Sequence, residues 1–205
     1  MLCCAAAAYP SAGGMVALKQ NEVGQISNNL ALVLGMAIGL GLLRHRGRLM
    51  VAESCTGGLA SHWITAIAGS SRWFDGGVIS YANIVKRGLL GVQSETLQRQ
   101  GAVSLQTATE MAQGVRSQHR RMLSDPVKHI PEGLFAFSIT GVAGPQGGQP
   151  AKPVGTVCFA WAGPQGIRAE QRFFSGDRAE IQRQAAAWAM AGLFGELCRA
   201  RASGA

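Results

Sequence analysis

The sequence has few charged side chains, few aromatic rings and no cluster of histidines and cysteines. Charged residues make up 15% and aromatic residues 6% of the 205 residues, whereas hydrophobic residues make up 47%. A chain with this many apolar side chains can bury a core, which excludes a disordered polyelectrolyte. The four histidines are not spaced as metal ligands, either with one another or with the cysteines, so we predict no metal site and no cofactor.

The sequence also lacks a secretory signal and a long apolar run. Its five cysteines are an odd number, and no basic segment followed by an apolar one begins the chain, so we expect no disulfide framework and a cytoplasmic location. Residues 30–43 form an uncharged stretch of about 14 residues, short of the roughly 20 that span a membrane. Gly35 and Gly39 within it have the spacing of a membrane-helix contact, but a buried soluble helix ending at Arg44 is the simpler interpretation. We predict no membrane association.

Basic residues exceed acidic ones without forming a block. The chain has 19 lysines and arginines against 11 aspartates and glutamates, a net charge of +8. Nucleic-acid binding is not predicted, because the basic residues are scattered and no aromatic side chains are interleaved with them. The excess of positive charge favours a small anionic substrate.

The segments of the chain predict one α/β domain. We expect residues 1–21 to be a flexible N-terminal extension and residues 22–205 to form the domain. Strand-like and helix-like patterns alternate, with helix starts predicted from Asn83, Ser104 and the pair Asp177 and Glu180. Two strand-like runs, 154–161 and 167–174, are separated by a turn and predict an antiparallel pair. The expected fold is therefore a single three-layer α/β/α sandwich with a mixed sheet.

A run of small polar residues follows the first strand-like segment. Ser54 and Thr56, with Gly57 and Gly58, lie where that strand gives way to a helix, so their hydroxyls and backbone N–H groups can stabilise an anion. The alternative is an ordinary cap with turn glycines. Cys55 is a second possible nucleophile, but no histidine lies near it in sequence, and a small buried thiol is the commoner role.

Tyr81 and Lys86 flank the next junction between a strand and a helix. In an α/β sheet that junction lies at the same edge as Ser54. A nucleophilic serine needs a base, and without a suitable histidine the candidate is a lysine whose pKa is lowered by burial. The alternative for Lys86 is a solvated charge at a helix start.

A third polar segment follows the central strand-like run. Residues 140–148 contain four glycines and a proline, a composition that lets backbone N–H groups approach a ligand, although the lysine of a P-loop is missing. Arg178 lies at a helix start and can grip a phosphate. The alternatives are a flexible loop and a solvated arginine.

Read in order, six segments resemble the motifs of the CinA C-terminal domain family. They are AESCTGG (52–58), GVISYANIVK (77–86), GAVS (101–104), TGVAGPQGG (140–148), PVGTV (153–157) and SGDR (175–178). The resemblance implies a stand-alone nicotinamide-nucleotide amidohydrolase, which deamidates nicotinamide mononucleotide to nicotinic acid mononucleotide and ammonia. It implies Ser54 as nucleophile, Lys86 as general base and Tyr81 as an assisting hydroxyl.

The same resemblance implies the remaining site residues and partners. The substrate-binding positions are Thr56, Gly57, Gly58, Thr140, Gly141, Gly144, Gly147, Gly148 and Arg178. A nucleotide substrate, no cofactor and a homo-oligomer are expected. Two departures are Ala82, where a serine is usual, and a long connection over residues 117–132. Two alternatives stay open: a serine hydrolase of another amide or ester, and a nucleotide-binding module with idle catalytic residues.

Overall fold

Within residues 28–122 and 133–202, which the computed structural model describes, there are five strands and six α-helices. The strands are β1 (Gly47–Glu53), β2 (Phe74–Ile79), β3 (Gly133–Gly141), β4 (Thr156–Gly163) and β5 (Gly166–Phe173). The helices are α1 (Asn28–Arg44), α2 (Leu59–Thr65), α3 (Asn83–Leu90), α4 (Ser94–Gln100), α5 (Leu105–Met122) and α6 (Arg178–Ala202), with a short 3₁₀ turn at Ser70–Arg72. The N-terminal extension expected over residues 1–21 lies outside the described residues, as do residues 123–132 of the long connection.

The strands form one mixed sheet in the order β2-β1-β3-β4-β5. Strand β1 is parallel to both β2 and β3, whereas β4 is antiparallel to β3 and β5 is antiparallel to β4. The carboxyl ends of β1, β2 and β3 therefore meet at one side of the sheet, called here the carboxyl edge. All three polar segments identified in the sequence begin there.

Helices cover both faces of the sheet, which confirms the predicted three-layer α/β fold. Helices α1, α2 and α6 pack over one face on large side chains such as Phe137, Phe159 and Trp161. Helix α5, with α3 and α4 beside it, packs over the other face, where the strands present smaller residues such as Ala52 and Ala136. Because those residues are small, α5 can lie close to the sheet.

The glycines of α1 serve packing within the chain. A Cβ at Gly35 would lie 2.1 Å from the Ile67 side chain, and a Cβ at Gly39 would lie 2.8 Å from the Trp73 ring. The predicted helix ending at Arg44 is thus confirmed, but it is buried against the domain on one face only, with apolar side chains such as Met36 and Leu40 exposed on the other. No helix in the described part of the chain combines the length and hydropathy needed to cross a bilayer.

One glycine brings α5 into direct contact with the backbone of α3. A Cβ at Gly114 would lie only 1.9 Å from the carbonyl oxygen of Leu90, the last residue of α3. No side chain fits in that space, since real Cβ atoms do not approach a carbonyl so closely. Gly114 therefore sets how near α5 and α3 come to each other.

Two of the three predicted helix starts are confirmed, and one is wrong. The Thr107 N–H donates to the Ser104 hydroxyl at 3.1 Å, and Asp177 and Glu180 bond to each other's backbone N–H at 2.8 Å, so both caps are confirmed. Asn83 as an N-cap is wrong: it is the first residue of α3, and extended Ala82 precedes it without a side-chain cap. The reason is that β2 already ends at Ile79, so the chain turns into α3 one residue before the start that an Asn83 cap would give.

Candidate active site

The turn between β1 and α2, residues Ser54–Gly58, is called here the serine turn. The Ser54 N–H donates to the carbonyl of Ile139 at 2.9 Å, which joins the start of the turn to the end region of β3. Gly57 and Gly58 have φ angles of +62° and +101°, in the left-handed region that favours glycine. The turn holds Ser54 only 7% exposed at the carboxyl edge.

Lys86 reaches Ser54 from α3. Its Nζ lies 2.9 Å from Ser54 Oγ, 2.6 Å from the carbonyl oxygen of Ser80 and 3.3 Å from that of Tyr81. The lysine is 1% exposed, and burial lowers its pKa to about 8. Near neutral pH a fraction of Lys86 is therefore an uncharged amine that can accept a proton from the Ser54 hydroxyl.

Few of the backbone N–H groups of the serine turn are free. The Gly57 N–H donates to the Ser54 carbonyl at 3.1 Å, and the Gly58 N–H donates to the Glu53 carboxylate at 3.1 Å. Among the residues that the structure describes, the N–H groups of Cys55 and Thr56 donate to no oxygen acceptor. These two groups are available to stabilise an oxyanion formed beside Ser54.

The side chains of Thr56 and Cys55, the two residues that follow Ser54, are both buried. The Thr56 hydroxyl is buried without a hydrogen-bond partner in the described part of the chain. Cys55 is 4% exposed, and burial raises the pKa of its thiol to about 12, so its thiolate is scarce near neutral pH. The Cys55 carbonyl accepts a hydrogen bond from the Gln182 side-chain amide at 2.8 Å, which attaches the serine turn to α6.

The side chains of Tyr81 and Arg178 contact each other. The Arg178 guanidinium donates to the Tyr81 hydroxyl at 3.2 Å and to the Gly144 carbonyl at 2.7 Å. The Tyr81 side chain is 63% exposed, and only its backbone carbonyl contacts Lys86. The structure thus brings Arg178, Tyr81 and the glycine segment together. The Tyr81 hydroxyl, predicted to assist Ser54 and Lys86, contacts Arg178 instead.

Residues 141–148, called here the glycine loop, are folded onto the segment that leads into β4. The Val142 N–H donates to the Thr156 carbonyl at 2.9 Å, and the Gly155 N–H donates to the Val142 carbonyl at 2.8 Å. A Cβ at Gly141 would lie 2.8 Å from the Thr156 carbonyl, whereas Gly147 and Gly148 are exposed. The loop therefore has a fixed base and an accessible tip.

Thr140, at the end of β3, makes a contact that its predicted role did not anticipate. Its hydroxyl donates to the carbonyl of Ala102 at 2.7 Å, and the residue is 1% exposed. The contact holds residues 101–104 against the base of the glycine loop. A direct contact between the Thr140 hydroxyl and a substrate stays a prediction.

The sequence does not predict the contributions of two residues, Glu53 and Ser80, to the site. Glu53 accepts hydrogen bonds from the start of α2, and Ser80 supplies the carbonyl closest to Lys86. A backbone acceptor leaves no signal in a sequence, and the direction in which Glu53 folds depends on the turn that follows it. Among the described residues, no three histidine, cysteine, aspartate or glutamate side chains are grouped to hold a metal ion.

Known proteins resemble this chain in sequence over most of its length. It is 45% identical to the nicotinamide-nucleotide amidohydrolase PncC of Enterobacter agglomerans over 159 residues, which cover 77% of this chain and 89% of that protein. It is 43% identical to the protein of the same name from Escherichia coli K12, with 77% and 88% coverage. A putative competence-damage inducible protein of Symbiobacterium thermophilum is 45% identical, and the match covers 77% of this chain but 36% of that longer protein.

Solved structures agree with the sequence matches. A CinA superfamily protein from Klebsiella pneumoniae 700603 superposes with a TM-score of 0.73 at 32% identity, covering 82% of this chain and 98% of that one. A competence/damage-inducible protein from Agrobacterium tumefaciens gives a TM-score of 0.72 at 36% identity, with 80% and 94% coverage. The CinA C-terminal domain family itself matches residues 33–197. This chain, with its serine turn and glycine loop at one edge of a mixed sheet, therefore belongs to the CinA C-terminal domain family.

Proposed function

We propose that this protein is a nicotinamide-nucleotide amidohydrolase, which hydrolyses the carboxamide of nicotinamide mononucleotide to a carboxylate and ammonia. The observation that carries the proposal is the buried contact of 2.9 Å between Lys86 Nζ and Ser54 Oγ. Relatives that are 45% and 43% identical bear the name of that activity. The names of these relatives support pyridine-nucleotide salvage as the role of the reaction.

The first half of the proposed mechanism forms an acyl-enzyme. Neutral Lys86 takes the proton of Ser54, and Ser54 Oγ attacks the carboxamide carbon. The carbonyl oxygen becomes an oxyanion that accepts hydrogen bonds from the N–H groups of Cys55 and Thr56. Lys86 then returns the proton to the departing nitrogen, the carbon–nitrogen bond breaks, and ammonia leaves.

The second half of the mechanism hydrolyses the acyl-enzyme. Lys86, neutral again after giving its proton to the departing nitrogen, accepts a proton from a water molecule that attacks the acyl carbon. Collapse of the second tetrahedral intermediate breaks its bond to Ser54 Oγ, and the proton held by Lys86 passes back to that oxygen. The nicotinic acid mononucleotide is released, and the scheme needs no metal ion.

The glycine loop and Arg178 are the proposed anchors of the substrate phosphate. An arginine has five N–H donors, and the two hydrogen bonds of Arg178 to Gly144 and Tyr81 leave others for a phosphate oxygen. The exposed tip of the loop, at Gly147 and Gly148, adds backbone N–H groups. Exposed Tyr81 lies beside Arg178, whose guanidinium donates to its hydroxyl.

Ammonia release from nicotinamide mononucleotide tests the proposed reaction. We expect the unsubstituted protein to release ammonia and Ser54→Ala to lose at least about 10³-fold in kcat, because the attacking oxygen is removed. Ser71→Ala, at an exposed serine away from the site, is the matched control and should keep full activity. If Ser54→Ala kept more than about a tenth of the activity, the barrier would have changed by less than about 1.4 kcal/mol and Ser54 would not be the nucleophile.

Removing the phosphate tests the proposed substrate class. A charge-assisted contact contributes about 1.5–3 kcal/mol, so nicotinamide riboside should show at least a tenfold lower kcat/KM than the mononucleotide. Arg178→Ala should impair turnover of the mononucleotide much more than that of the riboside, whereas Arg183→Ala, on the same helix, should impair neither. Equal turnover of both compounds would favour a serine hydrolase of another amide.

A further inference from the structure

Glu53 is a buried carboxylate next to the nucleophile that the proposed mechanism does not use. It is the last residue of β1 and is 1% exposed. Its Oε2 accepts the N–H groups of Gly58 and Ala60 at 3.1 and 3.2 Å. Its Oε1 accepts the Ser61 N–H at 2.9 Å and the Ser61 hydroxyl at 2.7 Å.

These bonds close the serine turn into a ring. The backbone of Glu53 enters the turn, while its side chain reaches past the turn to the first residues of α2. The residue at the N-cap of α2 is Gly58, which has no side chain to bond the first N–H groups of the helix. Glu53 supplies that acceptor with a full negative charge, which the positive end of a helix favours.

The backbone of Glu53 also connects the serine turn to Lys86. Its carbonyl accepts the Ser80 N–H at 2.7 Å, and the Ser80 carbonyl in turn accepts from Lys86 Nζ at 2.6 Å. Both partners of the pair of Ser54 and Lys86 are thus held through one residue. A tilt of Glu53 would change the distance between the two reacting atoms.

The carboxylate also determines which N–H groups remain free. Gly58, Ala60 and Ser61 donate to Glu53, so an anionic substrate group cannot bind at the start of α2. In the part of the chain that the structure describes, the N–H groups of the serine turn that donate to no oxygen atom are those of Cys55 and Thr56, immediately after Ser54. Both can donate to the oxyanion that forms on the carbonyl oxygen of the substrate when Ser54 Oγ attacks.

We infer that Glu53 is a positioning residue for the reaction, which holds the serine turn so that Ser54 faces Lys86 and the N–H groups of Cys55 and Thr56 stay free. The inference rests on the proposed amidohydrolase function for its catalytic consequence. The reactivity of Ser54 itself can be measured without the natural substrate. A fluorophosphonate probe serves, because Ser54 Oγ bonds to its phosphorus, fluoride leaves, and Lys86 takes the serine proton.

The test compares Glu53→Gln with the unsubstituted protein by two readouts. Glutamine keeps the size of the side chain, but its NH₂ group faces N–H donors, so half of the cap is lost. We expect the rate of Ser54 labelling, followed by mass spectrometry, to fall roughly 10- to 100-fold, as for a reacting atom misplaced by a fraction of an ångström. The kcat for ammonia release should fall by a similar factor, with KM for nicotinamide mononucleotide within about threefold.

Glu110→Gln is the matched control. The Glu110 carboxylate accepts the Gln93 N–H at 2.9 Å and the Thr96 hydroxyl at 2.7 Å, so it caps the start of α4 from another helix as Glu53 caps α2. It should lower thermal stability without slowing labelling more than about twofold. If Glu53→Gln also left labelling within about twofold of the unsubstituted rate, Glu53 would be a structural cap only and the inference would be overturned.

Ser61→Ala decides the matter if Glu53→Gln does not fold. It removes one hydrogen bond from the carboxylate and keeps the charge, so labelling should slow by about two- to fivefold. An unchanged rate, or no labelling of Ser54 in the unsubstituted protein, would overturn the inference. Normal labelling without ammonia release would contradict the proposed substrate instead. The labelling rates of the variants would still test whether Glu53 positions Ser54.

Discussion

The two ends of the parallel strands each hold a cationic side chain, half-buried Arg48 at the amino end and buried Lys86 at the carboxyl end, among different partners. At the amino end, Arg48 on β1 donates from Nε to the Asp75 carboxylate at 2.9 Å and from Nη1 to the Arg72 carbonyl at 2.6 Å, and His119 also contacts Asp75. At the carboxyl end, Lys86 contacts one hydroxyl and two carbonyl oxygens, all of them neutral. Among the described residues, Arg48 therefore has a carboxylate partner, whereas Lys86 has none.

This difference separates a structural ion pair from a base. A carboxylate beside a buried cation favours its charged form, whereas burial among neutral oxygens favours the uncharged form. Lys86 accordingly has a pKa lowered to about 8, from an ordinary value of 10.5. The fold holds the Lys86 amine among neutral oxygens at the carboxyl edge. Ser54 therefore has a base within hydrogen-bond distance.

The largest expected effect comes from removing the unpaired amine. Lys86→Met keeps an unbranched side chain of similar length but cannot accept a proton, so kcat/KM for ammonia release should fall by roughly 10²- to 10⁴-fold. Circular dichroism would verify the fold of the variant. Arg87→Met, which removes an exposed positive charge from the next position of α3, should keep full activity. A loss of less than about tenfold in Lys86→Met would remove Lys86 from the role of base.

The next largest expected effect is the dependence of kcat/KM on pH, which follows from the protonation of Lys86. Only neutral Lys86 accepts the Ser54 proton, and burial lowers its pKa to about 8, so the active fraction grows as pH rises through 8. The kcat/KM should therefore be about tenfold higher at pH 9 than at pH 7. A rate profile measured between pH 6 and 9.5 tests this, and a flat profile would show that the protonation of Lys86 does not limit the reaction.

The smallest expected effect on catalysis comes from removing Asp75, the carboxylate partner of Arg48. Asp75→Asn removes the carboxylate from Arg48 and His119 and should lower the free energy of unfolding by about 1–3 kcal/mol, measured with urea. The kcat should not change, because Asp75 lies near the start of β2, away from the carboxyl edge. Glu95→Gln, which breaks an exposed pair with Arg99, should leave stability within error. A large drop in kcat for Asp75→Asn would show that the two ends are coupled.

Part of this arrangement can be predicted from sequence, because some signals are local. The run 134–139 marks the buried central strand, observed as β3 (Gly133–Gly141), and the spacing of Asp177 and Glu180 marks the start of α6. The proximity of Ser54 and Lys86, 32 residues apart, follows from the rule that parallel strands bring their carboxyl ends together. In these cases neighbouring residues or topology alone decide the outcome.

Other features depend on distant groups that the sequence does not order in space. The polar segment of α4 was not predicted as a helix, and its start is bonded to Glu110 of α5. The direction of the Tyr81 hydroxyl depends on Arg178, 97 residues further along the chain. The reach of Glu53 over the serine turn depends on two glycines with positive φ angles. Such contacts need the assembled backbone before they can be identified.

Gly114 makes the proposed chemistry sensitive to a position that never touches the substrate site. The close approach of 1.9 Å that a Cβ would make to the Leu90 carbonyl means that even alanine must push α3 away from α5. Lys86 lies one helical turn before Leu90, so that displacement would be passed to the amine as a rigid shift. In genetic terms, a single-base change that adds one methyl group to a remote helix can act as a loss-of-function allele while every residue of the active site is still present.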